Sequence, residues 1–449
     1  MTQKITLSPL RLAPVPLGLA TRPAAARPAL RAAVVPSVLL AATLVLAGCS
    51  NGDQSAAQAA GENSGQESRA KAAKEVSAPA KRLMHTYDGG IVVLDAKTLA
   101  PVGDADLPGF NRLNPAGDGR HVLVSTGDAF RVFDAGSWTE AHGDHGHHYA
   151  AQPQLTDRAF EADHAGHVVV HEDLTVLFSD GSGKVESFNS EDLASSLESG
   201  LPDTDVYTTP SPHHGVAVPL EEGKLLVTVG TEEARTGIAI LGPGKGQDRE
   251  ELLRNEDCPG VHGEATAADG AVVVDCENGM LIYKDGVITK VKSPDAYGRM
   301  GNQAGSEASP IVLGDYKVDK EATLERPTRI SLVDTRTGGL QLVELGTSYS
   351  FRSLGRGPAG EALVLGTDGA LRVIDPLSGT VTSTIPVVAP WEESETWQDP
   401  RPTLFVQGST AYVTEPEARK IHAVDLKKAA VAKTAELEHI PNELTGVTG

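Results

Sequence analysis

The chain has 449 residues, 39 Lys+Arg against 60 Asp+Glu, a formal charge of −21 at pH 7, 4% aromatic residues and 3 Cys. A chain this acidic, with no strongly basic patch, is unsuited to nucleic acid. With 47 Gly, 28 Pro and no long apolar run beyond the first fifty residues, it is turn-rich, large enough for a sizeable core, and not a polytopic membrane protein.

Residues 1–48 carry Lys4, Arg11, Arg22, Arg27 and Arg31 but no acidic residue, and they end in an apolar stretch at 33–48. A cationic region followed by an apolar one reads as an export signal. Leu46, Ala47, Gly48 and Cys49 resemble a bacterial lipobox, which makes Cys49 the lipidated first residue of the mature chain. An uncleaved anchor is the alternative, disfavoured because the apolar run is shorter than the ~20 residues of a spanning helix. Losing the leader removes five positive charges and leaves the working protein more acidic still. Residues 49–80, rich in Ala, Gly, Ser, Gln and Glu, read as a flexible tether to the outer face of the cytoplasmic membrane.

From residue 81 onward a short apolar strand recurs at 90–95, 130–134, 184–189, 237–241, 280–284, 329–334, 371–375 and 420–425. Each copy is bounded by turn residues, and the spacing brackets the ~40–50 residues of a four-stranded propeller blade. The expected fold is therefore all-β: a single β-propeller over 81–449, with eight blades, or seven if the Gly-rich copy near 237 is discounted. Nothing precedes the first copy as an inner strand, while residues 443–449 follow the last copy without a partner. The C-terminal strand is expected to complete the first blade and close the ring. A monomer is expected.

Ten of the 14 His fall between 142 and 262. His142, Asp144, His145, His147 and His148 crowd into one Gly-spaced insertion at 141–151, expected to be a mobile loop between the second and third blades that offers ligands to a cation. A polar low-complexity insertion is the alternative. The runs DHAGHVVVH (163–171), SPHHG (211–215) and CPGVHGE (258–264) each fall at or just before an expected inner strand. Inner strands line the channel of a propeller, so three successive blades would bring His164, His167, His213 or His214, and His262 to one mouth, with Asp163 or Glu264 as a fourth ligand or as support. Imidazole with carboxylate suits Zn(II), Cu(II) or Ni(II), and zinc leads.

Beyond Cys49 only Cys258 and Cys276 remain. In an exported chain two such thiols are expected to form a disulfide; a thiolate metal pair is the alternative, with wider spacing than zinc sites usually show.

The runs at 163–171, 177–181 (LFSDG), 212–219 (PHHGVAVP) and 258–264 together resemble the AztD-type zinc metallochaperones of bacteria, exported β-propeller proteins associated with zinc-importing ABC transporters. The resemblance implies a non-enzymatic protein that binds zinc outside the cytoplasm and hands it to the solute-binding protein of an importer. Here the lipobox implies a tethered version. Two other readings compete: a metal-dependent propeller enzyme of lactonase or lyase type, because a catalytic zinc also keeps three protein ligands and an open position, and a propeller scaffold that recruits proteins without metal.

Overall fold

The computed structural model describes residues 73–449. The export signal, Cys49 and the first part of the tether lie outside these residues. Among the described residues, strands dominate, because short β-branched and aromatic runs fit a pleated, half-buried surface and are punctuated by Gly, Asp and Asn turns. They assemble into eight four-stranded sheets and one three-stranded sheet.

The eight recurring segments are, without exception, the third strand of their sheets: Gly90–Asp95, Ala129–Asp134, Lys184–Asn189, Arg235–Leu241, Gly279–Lys284, Arg329–Asp334, Ala370–Ile374 and Lys420–Asp425. The Gly-rich copy near 237 builds a complete sheet with Ala217–Leu220, Lys224–Gly230 and Glu251–Asn255. The C-terminal strand Leu444–Val447 pairs antiparallel with Arg82–Tyr87, placing Arg82 opposite Val447 and His85 opposite Leu444. It thereby supplies the first strand of the sheet that continues through Gly90–Asp95 and Pro101–Asp106.

The core lies between sheets. Val218, Leu226 and Ile240 of one sheet pack on Val261, Val272 and Leu281 of the next, and Leu83 and Leu94 of the first pack on Tyr412 and Ile421 of the last. Second and third strands supply most of these side chains, whereas an outer strand such as Ala430–Glu436 is almost wholly exposed. Truncating a fully buried residue such as Leu281 to Ala would cost about 2–5 kcal/mol. Cys258 and Cys276 form a disulfide that ties the approach to strand His262–Ala267 onto the neighbouring strand Ala271–Cys276.

Two regions differ from the sequence reading. The segment expected to be a mobile loop is a β-hairpin, Ser137–His142 paired with His145–Ala150. Its two-residue turn, Gly143 and Asp144, works because Gly143 takes the positive φ (61°) that a tight hairpin demands. The hairpin is inserted within the second sheet, between its third strand Ala129–Asp134 and its fourth, Gln154–Glu161, and not between two blades. Lys74–Val76, which composition assigns to the tether, adds a third strand to this hairpin, with Lys74 opposite Ala150 and Val76 opposite His148.

Candidate metal centre

Three successive sheets begin with the strands Ala165–His171, Ala217–Leu220 and His262–Ala267. His167 and His262 sit where the pairing register of their strands slips, between Ala165 and Val168 and between His262 and Glu264. Such bulges bend the strand and re-aim a side chain. Gly166 and Gly263 permit them: a Cβ on Gly166 would meet Asp180 Oδ1 at 2.3 Å, and Gly263 holds φ at 72°. His214 comes from the turn that leads into Ala217–Leu220.

The result is a three-imidazole cluster whose candidate ligand atoms all lie within 4.8 Å of one another. Nε2 of His167 and Nε2 of His214 are 3.4 Å apart, and ring centroids are separated by 5.0 Å (His167–His214), 5.1 Å (His214–His262) and 5.7 Å (His167–His262). The opposite edges of two rings are occupied. His214 Nδ1 donates to Asp180 Oδ2 at 2.6 Å, and His262 Nδ1 donates to the Gly301 carbonyl at 2.8 Å. Glu264 Oε2 stands 3.8 Å from His167 Nδ1. Acceptors on Nδ1 select the tautomer that leaves Nε2 unprotonated and turned inward, as metal-binding imidazoles require.

Electrostatics favours the same state. Burial, reinforced by the neighbouring His262 and His214, holds the pKa of His167 well below the usual imidazole range, and burial followed by His214 takes that of His262 down to about 3. Both rings are neutral at pH 7, so a cation finds lone pairs with no proton to displace. Burial pushes Glu264 up to about 8 and, with Asp315 nearby, raises Asp275 well above the carboxylate range. Gln303 links these two acids: its amide nitrogen donates to Asp275, and its oxygen accepts the Glu264 backbone N–H at 2.9 Å. A dication among the imidazoles would reverse the preference of Glu264 for its neutral form.

The structure brings together His167, His214 and His262, with Glu264 beside His167, but leaves His164 and His213 outside this group. His164 lies in the turn before its strand with φ 55° and an 80% exposed side chain; it bonds to Asp163 at 2.9 Å and is not one of the three converging rings. His213 is buried with both nitrogens engaged, Nδ1 with the Ser211 carbonyl and Nε2 with Thr228 Oγ1, each at 2.9 Å, and its ring edge abuts Phe178. It has no free lone pair to offer. In the hairpin, His142, His145 and His147 cluster within 4.8 Å, whereas His148 bonds to Thr139 Oγ1 (2.8 Å) and Asp144 stands fully exposed on the turn beside His145.

Sequence reasoning did not assign Asp180, the Gly301 carbonyl or the Gln303–Asp275 pair. Asp180 lies inside the LFSDG run that helped to carry the family resemblance, so its identity was visible although its role was not. Gly301 and Gln303 come from the segment entering the next sheet, where no side-chain type marks a backbone acceptor.

No family model matches the chain. The chain is similar to the zinc chaperone AztD of Citrobacter koseri, 25% identical over 369 residues that cover 80% of this chain and 83% of that protein. Among solved structures, the crystal structure of Citrobacter koseri AztD has a TM-score of 0.70 at 24% identity, covering 83% of this chain and 98% of that one. Its apo form gives 0.67 at 23% identity, covering 82% and 98%. The dihydro-heme d1 dehydrogenase NirN gives 0.51 at 11% identity over 82% of this chain and 75% of that one, a likeness of fold alone.

Proposed function

We propose that this chain is a zinc metallochaperone: it holds Zn(II) on His167, His214 and His262 and delivers it to the solute-binding protein of a zinc ABC importer. The similarity to a zinc chaperone over four fifths of the chain supports this reading. The observation that carries it is the convergence of three imidazoles from three sheets, two of them with Nδ1 pinned from behind by Asp180 and the Gly301 carbonyl. Three nitrogen ligands with an open fourth position suit zinc, and rigid supports make spontaneous release slow. Delivery then proceeds by exchange: a partner's ligand takes the open position and the imidazoles leave in turn.

We read the eight sheets as the blades of one closed propeller, with the trio at a channel mouth and the C-terminal strand as the closure. The leader and Cys49 support a lipid anchor at the outer face of the membrane. The test is to mix the zinc-loaded protein with the apo solute-binding protein and, separately, with a chelator of equal affinity. Faster transfer to the partner supports directed exchange; equal rates argue against it.

One observation favours a second reading. A buried acid, Glu264, stands beside three imidazoles, as in a zinc hydrolase whose carboxylate moves protons. Turnover of an activated ester or lactone by the zinc-loaded protein, abolished by Glu264→Gln, would establish that reading over the carrier.

A further inference from the structure

The hairpin carries chemistry that the central trio does not use. Antiparallel pairing places His142 directly opposite His145 and Glu140 opposite His147, and the two-residue period of a strand brings His145 and His147 to one face. Glu75, opposite Tyr149 on the added strand, shares that face. The three rings pack with centroids 5.1–5.4 Å apart. His147 Nδ1 donates to Glu75 Oε1 at 2.6 Å, which orients its Nε2 toward the other two imidazoles. His148, one residue on, points to the opposite face and bonds to Thr139.

We propose that His142, His145 and His147 form a second zinc site, with Glu75 holding His147 from behind, and that filling it fastens strand Lys74–Val76 to the body of the protein. The strand is only three residues long and mostly exposed, so its pairing alone is marginal. A metal that binds better when Glu75 is docked stabilises the docked strand by that difference in affinity. Zinc occupancy thereby sets whether residues 74–76 stay paired with the hairpin. The exposed setting, with side-chain exposure of 57% at His145 and 37% at His147, makes this the weaker and faster-exchanging site. The inference stands whether or not the central trio binds zinc.

The test titrates the full chain with Zn(II) against a chromophoric chelator and follows amide exchange at 74–76. The expected result is a weak zinc equivalent that disappears in the triple variant His142→Ala, His145→Ala, His147→Ala and weakens about tenfold in Glu75→Gln, with any tighter equivalent unchanged. Zinc should slow exchange at 74–76 in the parent and have much less effect in Glu75→Gln, a variant that leaves the hairpin pairing intact. Persistence of the weak equivalent in the triple variant, or exchange at 74–76 indifferent to zinc, would overturn the proposal.

Discussion

Three imidazoles meet at His167, His214 and His262 and three more at His142, His145 and His147, yet the two trios are built on different frames. The first comes from three sheets, each with its own apolar packing against its neighbours, and two of its rings are pinned by acceptors from still other segments. The second comes from a single hairpin and leans on one exposed carboxylate from a three-residue strand. Identical side chains are therefore expected to yield opposite properties: long-range contacts that fix geometry in advance should favour tight, slow binding, whereas local contacts that leave ordering to the metal should favour weak, fast binding.

The largest effect is expected from removing central ligands. His214→Ala with His262→Ala should weaken tight zinc binding more than 100-fold, beyond the ~10–100-fold that outer partners contribute, while the hairpin equivalent persists in the same titration. Loss of both equivalents together would erase the distinction between the frames.

His85 isolates the energetic consequence of burying an imidazole that belongs to neither trio. Burial, with smaller opposing and reinforcing contributions from the Thr86 carbonyl and His439, lowers its pKa to about 4. Its folded pKa lies below its unfolded one, so the unfolded chain takes up the proton first as pH falls. The associated stability, about 3 kcal/mol from ~1.36 kcal/mol per unit, is complete above pH ~6.5 and is lost as pH drops through about 4. Chemical denaturation between pH 7 and 4 should show this decline, together with those of the other buried imidazoles His167 and His262, and His85→Gln should make it shallower by about that amount.

Asp180→Asn keeps the shape beside His214 but removes the carboxylate. Zinc affinity at the central site should fall about 10–100-fold, with the melting temperature of the zinc-free protein little changed. His213→Ala is the reverse case. Thr228 and the Ser211 carbonyl each lose a buried partner, so stability should drop by about 1–3 kcal/mol in a thermal melt while zinc affinity stays constant.

Much of this contrast was legible in the sequence. The eight recurring strands mark the third strand of every four-stranded sheet: each is a short, largely apolar run bounded by turn residues, so its pattern survives variation in the loops. The His-bearing segments at 163–171, 211–215 and 258–264 were visible as one candidate centre because they occupy equivalent places in successive repeats. The choice within each segment was not visible. His167 is selected over His164 by a bulge at Gly166, and His214 over His213 by hydrogen bonds that consume both His213 nitrogens; both depend on register and on partners distant in sequence. The hairpin at 137–150 left a signal that density of His obscured: Gly143 and Asp144 between two His-bearing runs are a two-residue hairpin turn. Glu75 lies too far from His147 in the chain for spacing to connect them.

The most direct test of the central claim is an anomalous diffraction map from crystals of the zinc-loaded protein. The account predicts a zinc peak bound by Nε2 of His167, His214 and His262 at about 2.0–2.1 Å. A strong peak on His164 or His213, or none among the three imidazoles, would contradict it.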